Sequence, residues 1–382
     1  MTRAEVLKKA FEGRITWWQA ADICDITPRQ LLRMRERYQA FGPEEGLRDR
    51  RAGRPQPFRI PRETLDEMCR LKREVYPDFS IRHFHQFLTE KHKIRMCYTM
   101  TRNILQIRGL VEKAPSRGRY HRRRERRPMR GMMVHLDASK HPWIPGLPDW
   151  DLMVGMDDAD GRILFARFFP EEGVVSSLWA LRAMLTRHGR FCELYTDRGS
   201  HFCRTTQAGE DPDEIQNGHV PRVLKVLGIR PIRARSPEAR GRSERCFRTI
   251  QGRLPQELRL REIRNYDDAN RYLEKVFVPD FNRRFTVEPQ QPESAFTSMK
   301  GLDIELLLSV QHERHVRNDN TVQFETLALQ LQPSPTRPHF VRCPVLVHEF
   351  LDDTLGVSYQ GRLIGRFDRT GVPLAIARRK AA

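Results

Sequence analysis

From residue 131 onward the hydrophobic pattern changes period in a fixed order, and that order limits the folds open to the chain. MMVHLDASKHPWI, WDLMVGMDD and RILFARFF read as three strands, with Asp160-Gly161 as the hairpin turn between the last two. VVSSLWALRAMLTRHG then places Val174, Leu178, Leu181 and Leu185 at helical spacing. A fourth strand in CELYTDRGS, a short helix in PRVLKVLG, a fifth strand in IRPIRAR and a helix containing Glu244 complete a β-β-β-α-β-α-β-α series. Such a series predicts an α/β domain with a mixed five-stranded sheet over residues 131–300.

The flanks read differently, so the chain is multidomain. In residues 1–45, Thr27, Pro28 and Gln30 form a capping box that opens the second helix of a helix-turn-helix unit. Ala20, Ala21, Ile23, Ile26 and Leu31 are spaced to pack its helices, and Asp25 stands at the turn, where it can enter the left-handed region. That second helix would present Arg29, Gln30 and Arg33 to a DNA groove. Residues 46–61 are an extended basic linker in which Arg51, Gly53, Arg54 and Pro55 resemble the core of an AT-hook, with Ala52 in place of its first Arg. Residues 62–112 carry a second helix-turn-helix pattern. Its last helix is capped by Thr99, presents Thr99, Thr101 and Arg102 to DNA, and stops at Gly109. His83, His85 and His92 lack ligand partners there and read as surface or structural.

Residues 113–130 have almost no apolar content and a run of Arg122, Arg123, Arg124, Arg126 and Arg127. Like charges keep such a segment extended, and counterion release favours its contact with a phosphate backbone. Residues 301–382 show short strand patterns in QFETLALQL, PVLVHEF, LGVSYQ and RLIGRF, separated by Asn318-Asp319-Asn320, Asp352-Asp353 and Gln360-Gly361, for which a small all-β barrel with a basic tail is the natural closure. Across the chain 68 Lys and Arg oppose 49 Asp and Glu, a net charge of +19 that calls for a densely negative partner. No apolar stretch is long enough to span a bilayer and no secretory signal is seen, so a soluble, cytoplasmic, nucleoid-associated protein without membrane contact is expected. Seven scattered cysteines without a CxxC pair argue against both a disulfide framework and a zinc site.

Three acidic residues stand out in the α/β segment. Asp137 lies inside the first strand among apolar neighbours, where a carboxylate is costly unless it binds something positive. Asp197 ends the fourth strand, at the carboxyl edge where sites form in α/β sheets. Glu244 precedes Phe247, Ile250 and Leu254 by helical steps, which predicts that it faces the sheet. Three converging carboxylates repel one another unless cations neutralise them, and their oxygens suit Mg²⁺, with Mn²⁺ as a substitute. Glu210, Asp211, Asp213 and Glu214 read as loop surface, Glu238 as a helix-start carboxylate, and Asp157 and Asp158 as turn formers, with Asp158 also able to support the site.

The strand order, with HLDAS, YTDRGSHF and GRSERCFRTIQ, resembles the integrase catalytic core of DDE transposases, a ribonuclease-H-like fold shared with retroviral integrases. With its flanking domains the chain is similar to bacterial insertion-sequence transposases, most closely the ISNCY type. The resemblance implies that Asp137, Asp197 and Glu244 are catalytic and hold two Mg²⁺ ions, and Asn282 matches the Tyr-Asn-x-x-Arg stretch that closes many such cores. The Asp197 to Glu244 interval is longer than in retroviral integrases, because RTTQAGEDPDEIQNGH is inserted. The implied activity is binding of double-stranded DNA at the element's terminal repeats, hydrolysis of the strand at each end, and transfer of the 3′-OH to target DNA. Arg242, Arg245 and Arg248 would meet phosphates, and pairing two ends requires a homo-oligomer, at least a dimer. The alternatives are a catalytically inert helix-turn-helix regulator, or a ribonuclease-H-like nuclease without strand transfer.

Overall fold

The computed structural model of the protein describes residues 2–48, 60–113, 125–197, 218–233, 241–333 and 337–375. The chain divides into two compact units, Met1–Leu71 and Lys72–Ala382.

The first unit begins with α1 (Arg3–Phe11), α2 (Trp17–Ile23) and α3 (Pro28–Leu47), followed by α4 (Arg62–Arg70). Thr2, Thr16 and Thr27 each close a capping box, so every one of the first three helices starts where a Thr hydroxyl can take an otherwise orphan amide. The α2–α3 turn passes through Asp25 at φ 51°, as the sequence predicts. Ala20, Ala21 and Leu31 pack with Val6, Leu7, Ala10 and Met34, whereas Ile23, expected in that core, is exposed. α3 runs further than its pattern suggests because a kink at Gly42, φ 81°, lets a second helical turn follow.

In the second unit, α5 (Ile81–Glu90) and α6 (Tyr98–Ile107) precede β1 (Met133–Lys140), β2 (Asp151–Asp157), β3 (Ile163–Phe169), α7 (Val174–His188), β4 (Glu193–Thr196), α8 (His219–Leu227), β5 (Arg230–Arg233) and α9 (Gly241–Gln251). The helices α10 (Leu254–Leu260), α11 (Tyr266–Tyr272) and α12 (Val278–Phe285) follow. The strands form one sheet in the order β3-β2-β1-β4-β5, antiparallel across the first three and parallel across β1, β4 and β5. This is the mixed five-stranded, ribonuclease-H-like arrangement predicted from the sequence. On one face Val134, Leu136 and Leu194 pack against Leu178, Leu181 and Leu185 of α7 and against α8. Gly155 is required there, since a Cβ would collide with the sulfur of Met184. On the other face Leu152, Val154 and Met156 pack against α9 to α12.

Cys97, and not the predicted Thr99, stands at the N-cap of α6, and Gly109, φ 67°, follows its end as expected. Thr101 is fully buried, with its hydroxyl 3.1 Å from His85 Nδ1, so packing removes it from the predicted DNA-facing set. α5 is docked on the sheet domain: His83 Nε2 meets Glu257 Oε1 at 3.1 Å, Arg253 donates to Gln86, and Arg284 pairs with Glu90.

The last segment holds α13 (Ile304–Leu307), β6 (Val310–His315), β7 (Thr321–Phe324), β8 (Leu327–Gln330), β9 (Pro344–Glu349), β10 (Leu355–Tyr359), β11 (Arg362–Phe367) and β12 (Pro373–Leu374). The predicted barrel is corrected. Among the described residues the strands form an open sheet, β12-β11-β10-β9-β6, beside a separate β7-β8 hairpin, because β6 pairs only with β9 and β12 only with β11. The hairpin arises because Glu325, at φ 50°, breaks the run read as one strand in QFETLALQL.

Candidate active site

β1 and β4 are parallel in the register Met133↔Glu193, Val134↔Leu194, His135↔Tyr195. Continued by two residues, that register sets Asp197, which directly follows β4, level with Asp137 on the adjacent strand. Asp137 stands opposite Val154 of β2, and Val154 packs in the core beneath α9, so α9 covers the face that carries Asp137. Asp137 is 8% exposed, and its Oδ1 accepts from the Ala138 amide at 3.0 Å.

α9 lies along β1, as three observations show. Near its start Arg242 pairs with Asp158, whose own amide donates to the Met133 carbonyl at the beginning of β1. In its middle, burial and the nearby charge of Asp137 push the Cys246 thiol up to about 12. At its end Gln251 Nε2 donates to Ser139 Oγ at 2.9 Å. The helix therefore runs in the direction of β1, and Glu244, between Arg242 and Cys246, falls beside the stretch from His135 to Asp137.

The Glu244 side chain is exposed, which corrects the expectation that it faces the sheet. The buried stripe of α9 is Ser243, Cys246, Phe247 and Ile250, and one step from Ser243 rotates Glu244 by about 100° to the margin of that stripe. Among the described residues no three His, Cys, Asp or Glu side chains are close enough to hold a metal ion. The structure thus aligns two of the three predicted carboxylates and brings the third to the same level of the sheet without completing a cluster. The donors still fit a hard divalent cation, since Asp137 and Asp197 offer carboxylate oxygens from neighbouring strands and a carboxylate as enclosed as Asp137 is eased by a positive partner.

Sequence reasoning undervalued the hairpin aspartates. Asp157 and Asp158 are almost wholly buried and more than turn formers. Burial raises Asp157 to about 6, although it accepts from the Gly131 and Ala159 amides. Burial acts in the same direction on Asp158, but hydrogen bonds from His135, the Arg127 amide and Arg242 outweigh it and hold that carboxyl well below the usual range. The local signal was the run Asp157-Asp158-Ala159-Asp160, which has more carboxylates than a turn needs.

The predicted DNA contacts separate in the same way. Arg29, Gln30 and Arg33 are exposed on the first turns of α3, although Gln30 Oε1 is engaged by the Thr27 amide at 3.0 Å, which leaves its Nε2 to donate. Thr99, Arg102, Arg245 and Arg248 are exposed. Arg242 is withdrawn from the predicted phosphate contacts by its ion pair with buried Asp158. Arg126 donates to the Asp158 carbonyl at 2.9 Å and Arg127 pairs with Glu193 at 2.7 Å, so both are fastened to the sheet domain and not part of a free linker. Arg51, Arg54, Arg122, Arg123, Arg124, Glu210, Asp211, Asp213, Glu214 and Glu238 lie outside the described residues.

Among solved structures, a cryo-electron microscopy structure of the simian T-cell lymphotropic virus intasome, in complex with PP2A regulatory subunit B56 gamma, is similar over 66% of this chain and 84% of that chain, with 13% identity and a TM-score of 0.36. Residues 2–56 match a family described as a helix-turn-helix domain. The protein y4bF of Sinorhizobium fredii (strain NBRC 101917 / NGR234), whose name marks it as a candidate transposase, is 29% identical over 94% of this chain and 79% of its own length. The transposase for insertion sequence IS1202 of Streptococcus pneumoniae is 27% identical over 73% of this chain and 67% of its own length. Over most of its length the chain is similar to transposases, one of them from an insertion sequence, and its start matches a helix-turn-helix domain.

Proposed function

We propose that this protein is a DNA transposase that binds the terminal repeats of its own element, hydrolyses one strand at each end and transfers the freed 3′-OH to target DNA. The observation that carries the reading is the level placement of Asp137 and Asp197 on adjacent strands beneath α9, in a chain that is similar to the IS1202 transposase over 73% of its length. Asp137, Asp197 and Glu244 are the residues that would hold two Mg²⁺ ions, with Mn²⁺ able to substitute. Bound there, such ions supply Lewis acidity for in-line phosphoryl transfer.

The chain's own residues do the positioning. Val154, opposite Asp137 on β2, packs with Cys246 and Phe247 of α9 in an apolar layer that carries the helix over the face of the sheet bearing Asp137. Arg245 and Arg248, exposed along α9, meet the phosphates that flank the reacting bond. Arg29 and Arg33 reach base edges from the first turns of α3. Two ends must be held together for joining, which calls for at least a dimer on DNA.

The test maps the short duplex that the protein protects, supplies that end with Mg²⁺, and looks for joined products. Wild type joins, Asp197→Asn binds the end without cutting or joining, and a chelator abolishes both steps. Joining by Asp197→Asn at the wild-type rate would remove the site assignment, and cutting without joining by wild type would reduce the protein to a nuclease.

A further inference from the structure

A turn between two strands does not need Asp158. Asp157 Oδ1 already takes the Ala159 amide at 2.9 Å, Asp160 Oδ1 takes the Arg162 amide at 2.8 Å, and Gly161 supplies the positive φ. Asp158 is nonetheless 0% exposed, and three separate segments of the chain end on it. From β1, His135 Nε2 stands 2.7 Å from Oδ1. From α9, Arg242 pairs with the same oxygen. From the segment before β1, the Arg127 amide donates to Oδ2 at 2.7 Å while Arg126 donates to the Asp158 carbonyl at 2.9 Å. Desolvating a carboxylate this fully is costly unless the partners are well placed, so the pairing is sensitive to where those partners stand.

We infer that Asp158 is a positioning residue, which anchors the first turn of α9 to the start of β1 and so sets where Glu244 stands relative to Asp137. Arg242 is two residues before Glu244, within the same helical turn, and His135 is two residues before Asp137 on the same face of β1. One buried carboxylate therefore joins the two elements that carry those acids, at a point adjacent to both. Packing holds the rest of α9, because Cys246, Phe247 and Ile250 are buried from its middle onward, whereas among the described residues of its first turn the buried side chain beside the Arg242 contact is that of the small Ser243. The inference rests on the reading of Asp137, Asp197 and Glu244 as a cation-holding set.

The experiment uses the full chain and two readouts, amide hydrogen exchange and Mn²⁺ binding followed by the electron paramagnetic resonance of the free ion. Asp158→Asn keeps the shape and weakens the anchor. It is expected to speed exchange over residues 241–246 by about tenfold while residues 247–251 change little. Mn²⁺ affinity should fall by about tenfold, as when an outer partner of a ligand is lost, and Asp158→Asn should add no further loss in a Glu244→Gln background. If Asp158→Asn does not fold, Arg242→Gln breaks the same contact from the helix side and is held to the same outcomes. Unchanged exchange over 241–246 overturns the anchor. Unchanged Mn²⁺ affinity, or an equal loss with and without Glu244, overturns the link to that residue. Should Asp137→Asn and Glu244→Gln both bind Mn²⁺ as wild type does, the cation reading itself fails, and that failure is visible apart from the exchange result.

Discussion

A carboxylate removed from water is tolerable only where something replaces the water, and the four buried aspartates at the head of this sheet are provided for differently. Asp158 has cationic donors in His135 and Arg242, Asp160 has Arg162 beside it, Asp157 accepts from two backbone amides, and Asp137 accepts from the amide of its own neighbour, Ala138. The consequence for Asp157 is a dependence on pH opposite to that of most native carboxylates. Its pKa is raised from 3.8 to about 6 by burial, so its contribution to stability is fully present below pH 3.8 and is lost as the pH rises through about 6. Comparing wild type with Asp157→Asn in urea at pH 4.5 and pH 7.5 isolates this residue from the depressed carboxylates, whose effect has the other sign. Wild type should lose about 1–3 kcal/mol relative to the variant over that interval, and a difference that stays constant with pH would refute the account. Asp137 leads to a second expectation. On the proposed function Asp137→Asn should abolish cutting and joining, and because a neutral amide is cheaper to enclose than a carboxylate it should raise stability by about 1 kcal/mol without divalent ions. Urea unfolding in chelator measures the second half.

At the scale of elements, the strands were legible as short apolar runs bounded by turn residues, as fits a sheet covered on both faces, and the turns at Asp25 and Gln360-Gly361 were legible because positive φ selects few residues. The orientation of Glu244 was not, since a stripe read at three- and four-residue steps leaves its margins undefined, and Glu244 sits at the margin. Barrel closure failed for a related reason: periodicity says that a strand has two faces and nothing about what its edge meets. Asn282 illustrates what only the structure reveals. Its Oδ1 accepts from the Ile163 amide and its Nδ2 donates to the Ile163 carbonyl, each at 2.8 Å, and Asn270 engages Phe168 in the same manner. Two helix-borne amides thereby pair with the free edge of β3, from more than a hundred residues away in the chain. Asn282→Ala should cost about 1–3 kcal/mol in urea unfolding by leaving the Ile163 amide and carbonyl without partners, and a cost near zero would show that the edge is solvated instead.

For the whole molecule, the docking of α5 through His83 and Glu257, and of Arg126 and Arg127 onto Asp158 and Glu193, redraws the division of labour among the basic residues. None of these pairings could be read from the sequence, since His83 and Glu257 are 174 residues apart and each is unremarkable locally. The arginine run reads as one DNA-gripping linker, yet Arg127 is already committed to a carboxylate, and only Arg122, Arg123 and Arg124 remain as candidates for loose phosphate contact. Phosphate contacts add affinity without choosing a sequence, and each one lost flattens the salt dependence of binding by up to about 0.9 in slope. Replacing Arg122, Arg123 and Arg124 with Ala in the full chain should therefore weaken binding to the element's end and to random duplex by similar factors, and lower the slope by up to about 2.7. Arg127→Ala should leave that slope unchanged and appear instead as lost stability of up to about 1 kcal/mol, because it removes one of the two arginines that pair with Glu193 and leaves Arg230 in place. The preference for the end should follow Arg29 and Arg33 in α3, whose replacement lowers affinity for the end more than for random DNA. Titrations of the variants on both duplexes at several salt concentrations separate these outcomes. If Arg127→Ala flattens the salt slope as much as the loss of Arg122, Arg123 and Arg124 together, its pairing with Glu193 does not persist on DNA, and the run works as a single grip after all.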